Sequence, residues 1–322
     1  MDAPDPLPDP NELEVLGAAL PPQVLFGTSS WTYPGWQGLI YNRPYPKTGA
    51  AGRMLEEYAR FPLFRTVGID SSFYRPLTPK TYTDYDAHLP AGFPCVSKVW
   101  NQITVHTFTR EQGPARAGQP NPDFLNADLF VREVLEPALE HFRPHAGPFV
   151  FEFQAIARKA GVTALEFADR LDAFLSRLPR DVTYAVEIRN AEFLTPAYFA
   201  VLREHNVAHV FNSWTRMPPV GEQLDLPGSI PATFLVARIL LRPGRVYQEA
   251  VDTFAPYDHV QDPNPELRAD VARLIEQAVG LRIPAYVLVN NRAEGSAPLT
   301  IAAIARMLAD RQRRAGGRNE LR

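Results

Sequence analysis

The sequence predicts an α/β protein of the (β/α)8-barrel class, and three observations carry that expectation. Eight short runs rich in β-branched and apolar residues recur along the chain, with amphipathic stretches between them. The runs are mostly continuous in their hydrophobicity, as strands of a parallel sheet covered on both faces must be. The 322 residues suit one such barrel with long loops. An open doubly wound sheet is the competing architecture, and its glycine fingerprint is absent from the sequence.

Taken in order, Val24–Thr28 is the first expected strand, and Met54, Leu55, Tyr58, Ala59 and Phe61 follow it at helical spacing. Thr66–Ser71 and Cys95–Val99 are the second and third strands. A helix carrying Leu129, Val131, Val134, Leu135 and Leu139 leads into the fourth, Phe149–Phe153. Thr163 stands three residues before Glu166, the spacing of a capping box, and opens a helix carrying Leu165, Phe167, Leu171, Phe174, Leu175 and Leu178. Tyr184–Arg189 is the fifth strand, and Thr195 is placed to cap the helix of Tyr198, Phe199 and Leu202. Ala208–Asn212 and Phe234–Ile239 are the sixth and seventh. Val271, Leu274, Ile275 and Val279 mark the helix before the eighth, Ala285–Asn290, and Ile301, Ile304 and Leu308 the helix after it. Residues 23–310 are therefore expected to form one barrel. Residues 1–22 read as a flexible Pro/Asp-rich segment and residues 311–322 as a flexible basic tail. Two long loops, Thr107–Asn126 and Asn212–Thr233, follow strands and belong on the face where barrels carry function.

Composition narrows the class of function. With 45% hydrophobic and 21% charged residues the chain is of the folding kind, and its net charge of -3 lacks the basic excess of a dedicated nucleic-acid binder. A single cysteine excludes an intramolecular disulfide framework. No apolar run approaches the roughly 20 residues that span a bilayer, so no membrane association is expected. The opening run Met1–Pro10 is acidic and proline-rich, the opposite of a secretory signal, and a cytoplasmic protein is the expectation. The 33 basic residues include only four lysines, Lys47, Lys80, Lys98 and Lys159.

In a barrel the polar residues at strand C-termini line the mouth. Here those positions carry Ser29 and Ser30, Asp70 with Ser71 and Ser72, Lys98, Glu152 and Gln154, Glu187 and Arg189, Asn212, Arg238, and Asn290 with Asn291. Glu187 and Arg189 are two apart and point to one side of their strand, away from Val186 and Ile188. Lys98 can face the same way. An acid, a base and a lysine together suit proton transfer, a Schiff base or anion binding. The plainer alternative is a satisfied ion-pair network, Lys98–Glu187 or Asp70–Arg189. Metal chemistry is not expected, because the histidines fall away from the strand ends except for His106. Cys95 and His209 lie inside strands and read as core residues.

The ordered motifs bear a family resemblance. Gly27-Thr28-Ser29-Ser30-Trp31-Thr32-Tyr33-Pro34-Gly35-Trp36, Asp70-Ser71-Ser72-Phe73-Tyr74-Arg75-Pro76, Lys98 with Ile103-Thr104 and His106, Val186-Glu187-Ile188-Arg189, and Asn290-Asn291 with Gly295 and Ala297-Pro298 resemble the YecE-like family, domain of unknown function 72. The set spans Val24 to Leu308. The resemblance implies a TIM barrel and brings no activity with it. The sequence departs from the pattern at Gly68, where a Glu is usual, at Asn190, where a His often follows Glu-x-Arg, at Leu240, where a His is expected, and at Ser30, where a glycine precedes Trp31.

The expected function is acid/base chemistry, of hydrolase, isomerase or lyase type, on a small anionic or sugar-phosphate-like substrate. Lys98, Glu187 and Asp70 are the expected catalytic residues. Arg189, Arg238, Asn290, Ser72, Tyr74, Trp31 and His106 are expected to bind substrate, with no cofactor and no metal. A non-catalytic protein binding nucleic acid or a phosphorylated ligand at the same mouth is the alternative.

Overall fold

All eight runs form strands in the computed structural model, which describes residues 9–46 and 48–319. The strands are β1 (Val24–Thr28), β2 (Val67–Ile69), β3 (Cys95–Lys98), β4 (Ala146–Phe153), β5 (Tyr184–Ile188), β6 (Ala208–Ser213), β7 (Leu235–Ile239) and β8 (Ala285–Val289). The helices are α1 (Pro10–Ala19), α2 (Ala51–Tyr58), α3 (Pro79–Asp86), α4 (Asn101–Thr104), α5 (Ala127–Phe130), α6 (Glu136–Phe142), α7 (Ala164–Leu175), α8 (Pro196–Glu204), α9 (Val220–Asp225), α10 (Tyr247–Phe254), α11 (Pro265–Leu281) and α12 (Ala297–Asn319). The strands run in one sheet in the order β1-β8-β7-β6-β5-β4-β3-β2, the (β/α)8-barrel class. Among the described residues no helix is long and apolar enough to cross a membrane.

Helix starts follow the caps that the sequence offers. Thr163 and Glu166 form the expected capping box at α7, and Thr195 accepts from the Tyr198 N–H at the start of α8. β2 is shorter than expected because Asp70–Phe73 turns at once into a 3-10 helix. The chain packs as two compact units, each built from separated stretches.

One unit holds the chain up to Gly68, Asn212–Asp225 and the residues from Ala237 on. Its sheet pairs β1 with β8 in parallel, Val24 opposite Ala285 and Thr28 opposite Val289. Two terminal expectations are corrected here. Pro10–Ala19, within the segment expected to be flexible, is helix α1. Asp9 caps it, Pro10 occupies its first turn, and Leu13, Leu16 and Leu20 are buried. The Arg65 guanidinium donates to the Gly17 and Pro21 carbonyls at the helix end, at 2.8 and 2.9 Å. Arg306 of α12 pairs with Glu12 at 2.7 Å. At the other end α12 continues through Asn319, since its Ala, Arg, Leu and Gln are good helix formers. Residues 1–8 and 320–322 of the expected flexible ends lie outside the described residues.

The other unit holds Ile69–Phe211 and Leu226–Val236. Here β3, β4, β5 and β6 pair in parallel, in sequence order. Strand alternation sends Phe149, Phe151 and Phe153 to the helix side. The Phe130 ring lies 4.9 Å from Phe151 and 6.2 Å from Phe149, and Phe174 and Phe167 meet Phe151 and Phe153 at 5.1 and 5.2 Å. Between α5 and α6, Val131–Leu135 is a π turn. Pro137 has no N–H to donate to the preceding turn, which is a physical reason for the widened ladder there. His209 also faces the helices: its Nδ1 lies 3.1 Å from the Tyr198 hydroxyl, and it is a core histidine.

Candidate functional site

The sheet register of the second unit brings four ionisable side chains to one face. Glu152 lies directly opposite Glu187, and Lys98 lies opposite Val150, two residues before Glu152. Neighbours in register share a face of a parallel sheet, as do residues two apart. Lys98, Glu152, Glu187 and Arg189 therefore fall together, away from the phenylalanines that pack on the helices. Contacts agree with this parity. Lys98 Nζ is 2.8 Å from Glu152 Oε2, and one Arg189 nitrogen is 3.1 Å from that same oxygen and 2.6 Å from Glu187 Oε1.

All four are buried, in a graded way. Lys98 retains 8%, Glu152 7% and Arg189 6% of their surface, whereas Glu187 retains none. The quartet holds two positive and two negative charges, which is what permits such burial. Phe73 covers the lysine, its ring centre 3.8 Å from Nζ. The Ser72 hydroxyl lies 2.6 Å from the carbonyl oxygens of Ile69 and Lys98, tying the β2 end to the β3 end.

The ion pairs differ from those the sequence suggested. Lys98 pairs with Glu152, and Arg189 bridges the two glutamates. Residue spacing could place Glu187 and Arg189 together, but it could not say which carboxylate meets the lysine. Glu152 was visible as the polar end of the fourth strand, and only register gives it a role.

Other expected site residues sit in varied surroundings. Asp70 is half-buried at the start of the turn after β2, and Tyr74 is 70% exposed with its ring edge-on to Phe73. His106 is half-buried, its Nδ1 3.0 Å from the Thr107 hydroxyl and its ring edge-on to Phe124. Burial and the nearby Arg170 hold its imidazole below the ordinary value. Trp31, Arg238 and Asn290 belong to the first unit. Trp31 is buried, its Nε1–H donating to the Ala51 carbonyl at 2.8 Å, so it fixes the first loop. Arg238 is buried in β7, and the Asn290 side chain caps the turn after β8 by accepting from the Arg292 N–H. Burial pushes the Cys95 thiol well up, as suits a core residue and not a nucleophile. Among the described residues no group of His, Cys, Asp and Glu is arranged to hold a metal ion.

Three of the departures from the family pattern have structural grounds. A Cβ at Gly68 would lie 2.9 Å from the Ser29 carbonyl oxygen and 3.0 Å from its Cα, so this backbone leaves no space for a glutamate. Asn190 grips the peptide of Ile156 from both sides, accepting from its N–H at 2.7 Å and donating to its carbonyl at 3.0 Å. Leu240 packs in an apolar cluster with Leu241, Ala250 and Phe254. Nothing in the structure explains Ser30.

Fold and site define a (β/α)8-barrel protein with a neutral, buried charge quartet at the ends of β3, β4 and β5. The chain matches the model of "Protein of unknown function DUF72" over residues 25–321, and it belongs to that family. Among solved structures it resembles a DUF72 family protein from Enterococcus faecalis V583, with 15% identity and a TM-score of 0.56, over 89% of this chain and 97% of that one. A DUF72 family protein from Thermotoga maritima MSB8 is similar at 17% identity and a TM-score of 0.55, over 90% of this chain and 99% of that one. No curated protein matches.

Proposed function

We propose that the strand-end quartet is an acid/base active site, of hydrolase, isomerase or lyase type, for a small anionic, sugar-phosphate-like substrate. One observation carries this reading: a single oxygen, Glu152 Oε2, is shared by Lys98 and Arg189 at 2.8 and 3.1 Å. A substrate oxyanion that takes over Lys98 displaces Glu152. Arg189 is not stranded by this exchange, because it keeps Glu187 at 2.6 Å. The displaced carboxylate then sits in a largely buried site without its cation, which raises its proton affinity toward the range a general acid or base needs. Glu152 is thus the acid/base group in this reading. Glu187, wholly buried, is a positioning residue that acts through Arg189. Lys98 binds the substrate anion, and Ser72 and Phe73 hold the lysine's backbone and ammonium in place. A polyanion such as nucleic acid is the poorer fit, since Lys98, Glu152 and Arg189 are buried and an extended polymer needs an open basic face. A cytoplasmic setting, read from the sequence, belongs to the same proposal.

The test uses Glu152→Gln and Lys98→Met with a panel of triose and pentose phosphates. The expected result is a native circular-dichroism spectrum for both variants with binding lost in each. In the unaltered protein, titration calorimetry in buffers of different ionisation enthalpy should show proton uptake on binding, absent in Glu152→Gln. If both variants unfold, the quartet is a structural ion-pair network and the reading is overturned.

A further inference from the structure

The loops that follow β7 and β8 in the first unit carry a cluster of positive charge in which the quartet has no part. Arg242 and Arg245 lie just past β7, and Arg292 just past β8. Backbone contacts bring these loops together. The Gln261 and Asp262 N–H groups both donate to the Glu294 carbonyl, at 2.7 and 3.0 Å, which pins the segment before α11 against the turn that carries Arg292. Gly295, at a φ of 114°, permits this approach, since a Cβ there would lie 2.7 Å from the His259 carbonyl oxygen. The Asp262 carboxylate then reaches both arginines of the β7 loop, Arg242 at 2.9 Å and Arg245 at 2.6 Å. Arg292 stacks on Tyr247, its guanidinium carbon 4.4 Å from the ring centre, and Tyr247 is two residues from Arg245.

The charges in this cluster do not balance. Asp262 serves Arg242 and Arg245 together, and Arg292 pairs with no carboxylate among the described residues. Three guanidiniums against one carboxylate leave two positive charges. The acidic residues of α10 turn elsewhere. Glu249 and Asp252 stand two and five positions after Tyr247, off its face of the helix, and Asp252 accepts from the Gln248 amide. Nor are the arginines loose. Arg245 is half-buried and packed over Phe254 at 4.7 Å, and the Tyr247 ring holds Arg292. Fixing the forks in advance lowers the entropy that binding an anion must overcome. Beside them the side chains of Val246 and Tyr247 are exposed.

We infer that this cluster binds a phosphate monoester of a small organic molecule. A monoester carries close to two negative charges at neutral pH, which matches the surplus. Its oxygens accept from the guanidinium forks of Arg245 and Arg292, while Asp262 keeps the β7 arginines in place. Val246 and Tyr247 offer apolar surface to the carbon part of the ester. A phosphodiester or a carboxylate brings only one charge and leaves the surplus half met. The site lies wholly in the first unit, shares no residue with the quartet and does not rest on the reading of it.

Arginine Nε–H NMR of the full chain, with nitrogen-labelled arginine, tests this with glycerol phosphate, inorganic phosphate and dimethyl phosphate. Saturable shifts of the Arg245 and Arg292 signals are expected with glycerol phosphate, at lower concentration than with inorganic phosphate. The diester should bind about tenfold more weakly than the monoester. Arg292→Gln should weaken glycerol phosphate binding by about tenfold, read at Arg245, as loss of a charged hydrogen-bond donor does. The same variant should melt close to the parent, because the Arg292 guanidinium makes no hydrogen bond within the protein among the described residues. Shifts confined to Arg189 would place the anion at the quartet and overturn the inference. So would absence of saturation, equal or tighter binding of the diester or of inorganic phosphate, or unchanged affinity in Arg292→Gln.

Discussion

At the scale of the residue, the quartet turns on which carboxylate can be spared. Glu187→Gln removes the shorter contact to Arg189 and leaves a guanidinium shared with Glu152 alone. It should lower stability by about 3 kcal/mol or more, the usual effect of breaking a buried pair, as read by urea denaturation. Glu152→Gln takes the carboxylate from Lys98, which keeps some exposure and the face of Phe73, but it leaves the more deeply buried Arg189–Glu187 pair intact, so it should unfold at higher urea than Glu187→Gln. Equal midpoints would contradict the division of labour between them. Asn190→Ala should cost about 1–3 kcal/mol through the two unpaired Ile156 backbone groups while leaving the quartet's ligand binding unchanged. His106 gives a prediction with a sign. Its folded-state pKa is lowered, so the native state resists protonation and its contribution to stability is present above the unfolded value near 6.5 and lost as pH falls below it. His106→Gln should therefore flatten the decline in melting temperature between neutral and mildly acid pH. An unchanged slope would remove His106 from that account.

At the scale of the element, β4 is the part on which fold and site both depend. Its odd-numbered phenylalanines bind the helices, and its even position 152 supplies the shared carboxylate. Phe151→Ala should cost about 3–5 kcal/mol, because a cavity would open between Phe130 and Phe174. Calorimetry of that variant checks it. Strand existence and parity were legible in the sequence, since apolar runs and period-two spacing are local properties. The Lys98–Glu152 contact was not, because it depends on how far β3 slides along β4, and no local pattern carries that register. Helix α1 was missed for a related reason. Its prolines and acidic residues read as a flexible segment, whereas Asp9 and Pro10 form a start signal whose few buried leucines need partners elsewhere in the chain. Three members of the quartet stand out in the sequence, Glu187 and Arg189 by their spacing and Lys98 by its strand-end place, whereas Glu152 shows only as one polar strand end among several.

At the scale of the whole molecule, the two units differ in how the chain builds them. One gathers strands from both ends of the sequence, pairing β1 with β8, while the other takes most of its sheet from a single stretch, Ile69–Phe211. Loop closure makes distant pairings slower to form than near ones. During refolding, amides of β3–β5 should gain hydrogen-exchange protection before those of β1 and β8, and simultaneous protection would argue against this order. The scarcity of lysine has a practical consequence at this scale. Of the lysines, Lys80 and Lys159 are exposed, whereas Lys98 is covered by Phe73 and held by Glu152. Treated with an amine acylating reagent, the native protein should mark the exposed amines at once and Lys98 slowly. The late mass increment is a clock for the opening of the strand ends, readable without knowing any ligand.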